Sequence, residues 1–378
     1  MRSNYKRLGD FIQQVKNKNS DNSLTIENLR GININKVFMP SVANVTETDL
    51  SVYKVVEKNQ FAYNPMHVGR DEVLPIGMLE TEQSVIVSPA YVIFEIIDTN
   101  ELLPQYLMMW CRRSEFDRNA WFTTDSSVRG GFNWEDFCDL ELPIPSLEKQ
   151  REIVKEYHTI VDRIKLNEQL NQKLENTAQS IYKEWFVNFD SIHIDKLDEY
   201  IEFNPKHTIK KDTLTSYVEM ADVQENAMSL KNIIKRQFTS GSKFKNQDTL
   251  LARITPCLEN GKTAFVNSLD KNEVAFGSTE FIVMRAKKDI SPYWIYCLAR
   301  EENFKAYAIS SMIGSSGRQR VHSDYLKEYK ISSNRDKMTD FHYIAKPIFE
   351  TIYFKAKENK SLETLKETLL SKMATIKD

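Results

Sequence analysis

Residues 5–12 of the chain read YKRLGDFI, and 189 positions later residues 194–201 read IDKLDEYI. A shift of 190 brings SPAYVIF at residues 88–94 onto STEFIVM at residues 278–284. A period of about half the chain is far longer than the repeats of solenoid proteins. It predicts two homologous domains related by a pseudo-twofold axis, an arrangement that suits a ligand with two similar halves.

The composition fits two packed domains with connecting helices. The 378 residues are 41% hydrophobic, and each copy mixes short β-type runs with helical stretches, which predicts an α+β fold. Neither a signal peptide nor a membrane segment is expected, because no apolar run follows the N-terminus or is long enough to cross a bilayer. The four cysteines form no CxxC pair, which argues against a zinc site and for a reducing cytoplasm: Cys111, Cys138, Cys257 and Cys297.

A long helix is predicted after Leu142-Pro143-Ile144-Pro145, whose prolines end the first domain. Ser146 is a suitable N-cap, and the helix continues to about Val187. Its apolar residues alternate in steps of four and three, the heptad spacing of coiled coils, and a similar stripe recurs 191 positions later. The residues expected in the helix and partner interface are Ile153, Tyr157, Ile160, Ile164, Leu174, Ile181, Trp185, Leu362, Leu365 and Leu369.

Neither helix can bury its apolar stripe alone, so we expect an antiparallel coiled-coil pair that separates two globular domains. The alternative is that each helix folds back onto its own domain. On the first interpretation the chain divides into a first domain (residues 1–147), a central helix (148–187), a second domain (188–337) and a C-terminal helix (338–378). Both stripes turn polar near their middles, which costs stability but helps to set the register of the pair.

The charge is distributed unevenly. The net charge is −2, but residues 1–147 carry −6 and residues 191–340 carry +3. The strongest basic cluster runs from Lys231 to Lys262 and contains seven cations against Asp248 and Glu259. A nucleic-acid-binding protein with this balance must concentrate its cations on one face. The alternative interpretation is that this run is a solvated loop.

Several fragments imitate catalytic motifs but lack an essential residue. Gly261-Lys262-Thr263 resembles the end of a phosphate-binding loop, yet Pro256 stands where its first glycine is required. Residues 64–67 and 204–207 both begin with Asn-Pro, but they lack the second proline and the aromatic residue of the adenine methyltransferase box. The six histidines show no paired spacing typical of metal ligands. We therefore predict no catalytic residue, no metal site and no cofactor in this chain.

The layout of domain, helix, related domain and second helix resembles the specificity subunit of Type I restriction–modification enzymes. The most specific match is LELPIPSLEKQREI at residues 140–153, which is similar to the family's hydrophobic-Pro-hydrophobic-Pro segment and the Gln that opens a conserved helix. The glycine-containing stretches at residues 129–132 and 314–318 resemble the turns that precede this segment. The second copy departs from the pattern, because residues 329–334 have lost both prolines and the Gln.

The resemblance implies that each globular domain is a target-recognition domain reading one half of a split double-stranded DNA sequence. The helices would then fix the length of the unread gap. It also implies partners: two methyltransferase subunits that bind S-adenosylmethionine, and restriction subunits that use ATP and Mg²⁺. A coiled-coil scaffold with two protein-binding domains is the alternative from another class, and an enzyme such as a methyltransferase or nuclease is a third.

DNA contacts are expected from loop residues that donate to base edges and phosphates. The richest candidate is the loop at residues 315–322, where Arg318 and Arg320 could each bind a guanine through two hydrogen bonds. If corresponding loops are shared only for structural reasons, the divergent segments 30–75 and 205–262 read the sequence instead. The candidate DNA-binding residues are Asn64, His67, Arg70, Ser127 and Arg129 in the first domain and Lys243, Lys245, Arg253, Lys262, Ser316, Arg318, Gln319, Arg320 and His322 in the second.

Overall fold

The computed structural model describes residues 5–41, 48–66, 72–123, 131–188, 194–315, 317–332 and 334–376. The chain divides into two compact units. Unit 1 comprises Met1–Asp162 and Leu362–Asp378, and unit 2 comprises Arg163–Ser361. Each unit therefore combines one copy of the repeat with part of each long helix.

In the residues that the structure describes, unit 1 consists of short strands and three short helices. Its strands are β1 (Tyr5–Arg7), β2 (Ile12–Val15), β3 (Arg30–Ile32), β4 (Phe38–Pro40), β5 (Lys54–Val56), β6 (Phe61–Tyr63), β7 (Ile76–Met78), β8 (Val85–Val87), β9 (Val92–Ile96) and β10 (Glu141–Pro143). Its short helices are α1 (Pro104–Cys111), α2 (Ser114–Thr123) and α3 (Trp134–Cys138). The first long helix, α4 (Leu147–Tyr182), begins in this unit and ends in unit 2, where a π-helical turn (Lys183–Val187) continues it.

Unit 2 has the same plan. Its strands are β11 (Ile194–Lys196), β12 (Ile201–Phe203), β13 (Leu214–Val218), β14 (Ile234–Gln237), β15 (Ser242–Phe244), β16 (Thr249–Ala252), β17 (Thr263–Phe265), β18 (Ala275–Gly277), β19 (Phe281–Ala286) and β20 (Lys330–Ser332). Its helices are α5 (Pro292–Arg300), α6 (Glu302–Ser310) and α7 (Ser323–Lys327), followed by the second long helix, α8 (Arg335–Lys372). None of the helices in the described ranges is apolar over enough of its length to span a bilayer.

The two units repeat one topology. The main antiparallel sheets have the orders β2-β9-β6-β7 and β12-β19-β16-β17. In each unit the first strand pairs with the last, so Tyr5 lies opposite Pro143 and Ile194 lies opposite Ser332. The units differ beside this sheet: unit 2 has a second four-stranded sheet, β14-β13-β18-β15, where unit 1 has the pairs β3-β4 and β5-β8. The predicted duplication of an α+β domain is confirmed.

An aromatic cluster lies at the centre of each unit. In unit 1, the ring of Phe94 on β9 lies 4.8 Å from that of Phe61 and 5.0 Å from that of Phe137. In unit 2, Trp294 on α5 lies 5.9 Å from Tyr200. These five side chains are fully buried or nearly so. Burial of their large apolar surfaces stabilises the fold by about 25 cal/mol for each Å² removed from water. Through these ring contacts, each main sheet and the residues beside it pack against the short helices of the same unit.

The two long helices run antiparallel within unit 2. Asn167 of α4 donates from Nδ2 to Oδ1 of Asn359 of α8 at 2.8 Å, and further along α4 the ring of Phe186 lies 5.7 Å from that of Phe341. Residue numbers therefore rise along one helix as they fall along the other. Both helices also pack on the globular core of the unit. The two expected arrangements, helix against helix and helix against domain, are thus combined.

The buried face of each helix departs from the predicted stripe. Ile153, Tyr157, Ile160 and Ile164 are buried, with 4–9% exposure. Toward the end of α4 the most buried positions lie one residue later than predicted. The predicted residues Leu174, Ile181 and Trp185 are only partly buried. The residues that follow them, Glu175, Tyr182 and Phe186, are buried. A straight helix rotates by about 20° per heptad relative to a strict seven-residue repeat, which accounts for this drift.

On α8 the predicted stripe is out of phase. Leu362 and Leu369 are partly buried and Leu365 is 52% exposed. Leu365 is therefore not buried in the helix pair, and its predicted contact with a partner subunit stays a prediction. The buried positions are Met338, Phe341, Ala345, Phe349, Ile352 and Leu370. Apolar residues occur in adjacent pairs along the first half of α8, so spacing alone could not choose between the two phases.

The junction of β20 with the first turns of α8, here called the second hinge, lacks the two prolines found at the junction of β10 with α4, here called the first hinge. Asn334 caps α8, because its Oδ1 accepts the backbone N–H of Lys337 at 3.0 Å. Nδ1 of His342 lies 3.3 Å from Oγ of Ser291, the residue before α5. In unit 1 the side chain of Gln150 also bonds the residue before α1, but there its Oε1 accepts the backbone N–H of Leu103 at 2.9 Å. A titratable ring thus stands in the second hinge where the first has a neutral amide.

Stability of unit 2 is expected to depend on pH through His342. Burial, and then the nearby charge of Lys346, hold the pKa of His342 below its usual value of 6.5. The folded state therefore disfavours the protonated ring, and stability is lost as the pH falls through 6.5 toward the lowered pKa. We expect His342→Gln to show a smaller drop in Tm between about pH 7 and about pH 5 than the unchanged chain.

His207 provides the matched control for this measurement. It also lies in unit 2 and its pKa is also lowered, first by burial and then by Arg285 and Lys245. His207→Gln should leave the contribution of His342 in place, and the double variant should show the smallest drop. Equal drops in Tm for the unchanged chain and His342→Gln would contradict the expectation.

Candidate nucleic-acid interface

Three charged side chains of unit 2 form an ion-paired group, here called the Arg–Glu–Arg cluster: Arg253, Glu280 and Arg320. Nε of Arg320 lies 3.0 and 2.9 Å from the two carboxylate oxygens of Glu280, and Nη2 lies 2.8 Å from Oε1. Nε of Arg253 lies 3.7 Å from Oε2 of the same carboxylate. The side chains of Arg253, Glu280 and Arg320 are 25%, 24% and 36% exposed. The cluster therefore lies at the surface, where a ligand can reach it.

Backbone pairing assembles the cluster from three segments that are distant in sequence. Arg253 follows β16, and its N–H donates to the carbonyl oxygen of Glu280, in the turn before β19. The N–H of Val321 donates to the carbonyl oxygen of Arg253. Arg320 and Ile313 exchange both backbone hydrogen bonds. The main sheet and one loop thus bring the three side chains together.

Ile313 and Arg320 pair as the closing bridge of a hairpin that carries Arg318 into solvent. Gly314 and Gly317 have φ values of +136° and +79°, which L side chains rarely adopt. Arg318 is exposed, and its side chain has no hydrogen-bond or ion-pair partner among the residues that the structure describes. Gln319 is half-buried. Two neighbouring arginines of this hairpin therefore differ in their surroundings, since Arg320 is held by Glu280 and Arg318 is not.

The electrostatics of the cluster favour an anionic or guanine-containing ligand. The pKa of Glu280 is lowered, chiefly by the hydrogen bond from Arg320. Burial acts in the opposite direction, and the charges of Arg320 and Arg253 lower the pKa further. The carboxylate is therefore ionised at neutral pH, and the same bond raises the pKa of Arg320. Together with Arg318 the group carries two net positive charges. Guanidinium groups bind phosphate oxygens and the O6 and N7 atoms of guanine through paired hydrogen bonds.

The other predicted contacts of unit 2 are less closely grouped. The ammonium groups of Lys262 and Lys243 donate to backbone carbonyl oxygens of their own unit at 3.1 and 2.9 Å. Lys262 is nevertheless close to the cluster, because its carbonyl oxygen accepts the N–H of the residue before Arg253. Lys245 is half-buried in the turn after β15, and His322 is exposed just before α7. The structure thus places Arg253, Arg318, Gln319 and Arg320 together, with Lys262 beside them.

Most predicted contacts of unit 1 lie outside the described residues. Asn64 is described and is 9% exposed, and its Oδ1 accepts the N–H of Met66 at 3.0 Å, so it closes a turn. The predicted contacts outside the described ranges are His67, Arg70, Ser127 and Arg129 in unit 1 and Ser316 in unit 2. The DNA contacts predicted for all of these residues stay predictions.

Sequence reasoning missed Glu280, because a search for DNA contacts selects cations and amides. A signal was nevertheless present in the repeat, since Glu280 aligns with Ala90 in the first copy. A charged residue that replaces alanine at an equivalent turn marks a position where the two copies differ in chemistry. Its meaning depends on which cations the fold brings to it.

No group of three or more His, Cys, Asp or Glu side chains in the described ranges is arranged to hold a metal ion. The four cysteines are free thiols, and three of them are buried. Burial raises the pKa of the Cys111 thiol to about 12, which keeps it protonated and unreactive. The surface that the Arg–Glu–Arg cluster and Arg318 form is cationic and rich in hydrogen-bond donors, and this chemistry suits a polyanion.

Comparison with known proteins finds similarity to the specificity subunits of type I restriction enzymes. Residues 4–176 match the family model of the type I restriction modification DNA specificity domain. The specificity subunit of the type I restriction enzyme HindI from Haemophilus influenzae is 26% identical over 192 residues, which cover 49% of this chain and 41% of that protein. The MjaIX specificity subunit from Methanocaldococcus jannaschii is 24% identical over 260 residues, covering 62% of this chain and 60% of that protein. The matched part thus spans about half the length of these relatives.

A solved structure is similar over nearly the whole chain. The S subunit of a type I restriction–modification system from M. genitalium aligns with a TM-score of 0.58 over 99% of this chain and 96% of its own. The sequence identity is 13%. The likeness therefore establishes a shared fold.

Proposed function

We propose that the chain is a specificity subunit of a type I restriction–modification system and that it binds double-stranded DNA in a sequence-specific manner. The proposal is supported by the match of residues 4–176 to the model of the DNA specificity domain and by the fold shared with a solved S subunit. Each globular unit reads one half of a bipartite target. Helices α4 and α8 set the length of the unread gap and dock two methyltransferase subunits. The chain supplies recognition, and the partner subunits carry out the chemistry.

The observation that carries this proposal is one topology that occurs twice with different side chains at equivalent loops. A DNA duplex presents the same phosphate geometry at every site, whereas its base edges differ. Two copies of one domain can therefore approach two stretches of duplex in the same way and still select different bases. The Arg–Glu–Arg cluster and Arg318 supply the required donors in unit 2.

The cofactors belong to the partners in this proposal. S-adenosylmethionine binds to the methyltransferase subunits, and ATP and Mg²⁺ bind to restriction subunits where these accompany the complex. We place the complex in the cytoplasm, where it meets the cell's DNA and where the free thiols of the chain remain reduced.

The test is a comparison of DNA methylation at single-base resolution between cells with and without the gene. We expect a bipartite adenine-methylated sequence to disappear on deletion and to return when the gene is restored. This result would identify both half-sites and the gap between them.

An unchanged methylation pattern, in cells that express the chain together with its methyltransferase partner, would contradict the proposal. A scaffold protein with two protein-binding domains would then account better for the fold. Co-purification of the chain with the methyltransferase subunit shows that the partner is present and makes the negative result decisive.

A further inference from the structure

The two units differ at the three positions of the Arg–Glu–Arg cluster. In unit 1 the carbonyl oxygen of Pro65 accepts the N–H of Phe132, just as the carbonyl oxygen of Arg253 accepts the N–H of Val321 in unit 2. Pro65 is therefore the counterpart of Arg253. The residue before Phe132 is Gly131, the counterpart of Arg320.

The third position completes the comparison. β6 pairs with β9 as β16 pairs with β19, with Tyr63 opposite Val92 and Leu251 opposite Ile282. By this register the counterpart of Glu280 is Ala90. All three charged positions of unit 2 are thus occupied by uncharged residues in unit 1. Three positions that differ together, and that touch one another in unit 2, behave as a functional unit and not as three independent surface substitutions.

We propose that Glu280 is a specificity-determining residue of unit 2, which orients Arg320 toward a guanine edge and weakens binding to DNA of other sequences. This inference rests on the proposed DNA-binding function. It assigns different roles to the two arginines of the hairpin: Arg320 reads a base and Arg318 binds a phosphate.

The hydrogen bonds of Arg320 support the first half of this assignment. A guanidinium group has five N–H donors in one plane. Glu280 occupies the edge formed by Nε and Nη2, and Nη1 donates to the carbonyl oxygen of Arg318 at 3.3 Å. Donors remain on Nη1 and Nη2 at the opposite end of the group. This end can bind O6 and N7 of guanine while the carboxylate holds the other edge.

Restraint of the side chain is what separates base reading from phosphate binding. An arginine whose rotamer is already held loses less conformational entropy when it binds, and it cannot swing to a phosphate when the base is wrong. Arg318 has no such restraint in the described part of the chain. An exposed guanidinium without such restraint can bind the phosphates, which have the same chemistry at every sequence.

The charge of Glu280 supports the second half. The carboxylate is ionised and 24% exposed, and it lies within 4 Å of both arginines. It reduces the attraction of Arg253 and Arg320 for phosphate and repels a phosphate that approaches without the correct base. Since specificity is the difference between two affinities, such a repulsive element raises discrimination while it lowers affinity for all DNA.

The experiment uses the chain in complex with its methyltransferase partners. Binding is measured to the duplex identified by the methylation comparison, and to two duplexes in which one half-site at a time is replaced. Glu280→Gln keeps the size of the side chain and removes its charge. We expect it to lower discrimination at one half-site by about tenfold, to leave the other half-site unchanged, and to tighten binding to the replaced duplex with a steeper salt dependence.

Three variants sharpen the interpretation. Arg320→Ala should lower discrimination at the same half-site, and Glu280→Asp should retain most of it. Arg318→Ala should weaken binding to all three duplexes by a similar factor and reduce the salt slope by about 1. Unchanged discrimination at the other half-site shows that each variant complex is folded and assembled.

Two results would overturn the assignment. One is unchanged discrimination in Glu280→Gln, and the other is an equal loss of affinity for all duplexes, which would show that Glu280 only maintains the fold. If the unchanged complex itself bound all duplexes equally, the proposed DNA function would fail and the role of Glu280 would fail with it. Selective binding by the unchanged complex separates these cases.

Discussion

Replacement of Gln150 by alanine is expected to destabilise unit 1 by about 3 kcal/mol. The Gln150 side chain is fully buried at the start of α4. Its Nε2 donates to the carbonyl oxygens of Glu101 and Pro145 at 2.8 and 2.9 Å, and its Oε1 accepts the N–H of Leu103 at 2.9 Å. Alanine reaches none of these groups, and each buried group left without a partner costs about 1–3 kcal/mol.

The measurement is thermal unfolding combined with hydrogen exchange at the amide of Leu103, which should exchange faster in the variant. Gln172→Ala is the matched control, because Gln172 lies on the same helix but is exposed and bonds to Asn176. Its replacement should change stability by less than about 0.5 kcal/mol. A similar small effect of Gln150→Ala would show that water or a shifted backbone satisfies the three groups. The proposed role of the Gln150 side chain in stabilising the first hinge would then be refuted.

Replacement of Glu175 by alanine is expected to destabilise unit 2 by about 3–5 kcal/mol. This carboxylate is 8% exposed. It accepts the N–H of Met228 at 3.0 Å and the hydroxyl of Tyr296, and it lies 3.6 Å from Nε of Arg300. Without it, a largely buried guanidinium and two buried donors lose their partner. The bonds of Arg300 to the carbonyl oxygen of Gly261 and a neighbouring carbonyl would remain but would not neutralise its charge.

Glu175→Gln separates the loss of hydrogen bonds from the loss of charge. The amide oxygen of glutamine can still accept a hydrogen bond from Met228 or Tyr296. We therefore expect the stability of Glu175→Gln to lie between that of the unchanged chain and that of Glu175→Ala. Glu168→Ala, at an exposed position of the same helix, serves as the control. Denaturant unfolding and hydrogen exchange at Met228 report the effect. Equal stability of Glu175→Ala and Glu168→Ala would exclude a role for Glu175 in joining α4 to the core of unit 2.

The duplicated α+β plan and the long helices could be predicted from the sequence, because they depend on local patterns. Paired prolines end a strand, a capping residue begins a helix, and apolar residues in steps of three and four continue it. The structure has α4 from Leu147 to Tyr182 with a continuing turn to Val187. The two copies pair their first and last strands in equivalent registers. The repeat and the long helices involve residues whose order in the chain is sufficient to reveal them, whereas the pairing of the first strand with the last became visible only in the structure.

The buried face of α8 could be predicted only in part. Apolar residues at 344 and 345, and again at 348 and 349, fit either phase of the stripe. The structure buries Ala345 and Phe349 and leaves Ile344 39% exposed. The choice depends on the aromatic side chains of α5 and β17, which pack against Phe349 from distant parts of the chain. Heptad spacing carries no information about such neighbours.

By itself the sequence determined the repeat, the two long helices and the class of residues that could contact DNA. Only the tertiary structure decided which of those residues act together. Arg253, Glu280 and Arg320 are separated by tens of residues, and sheet register and one hairpin bring their charged groups within 4 Å. The physical reason is that an ion pair depends on distance in space, whereas a sequence pattern records only distance along the chain.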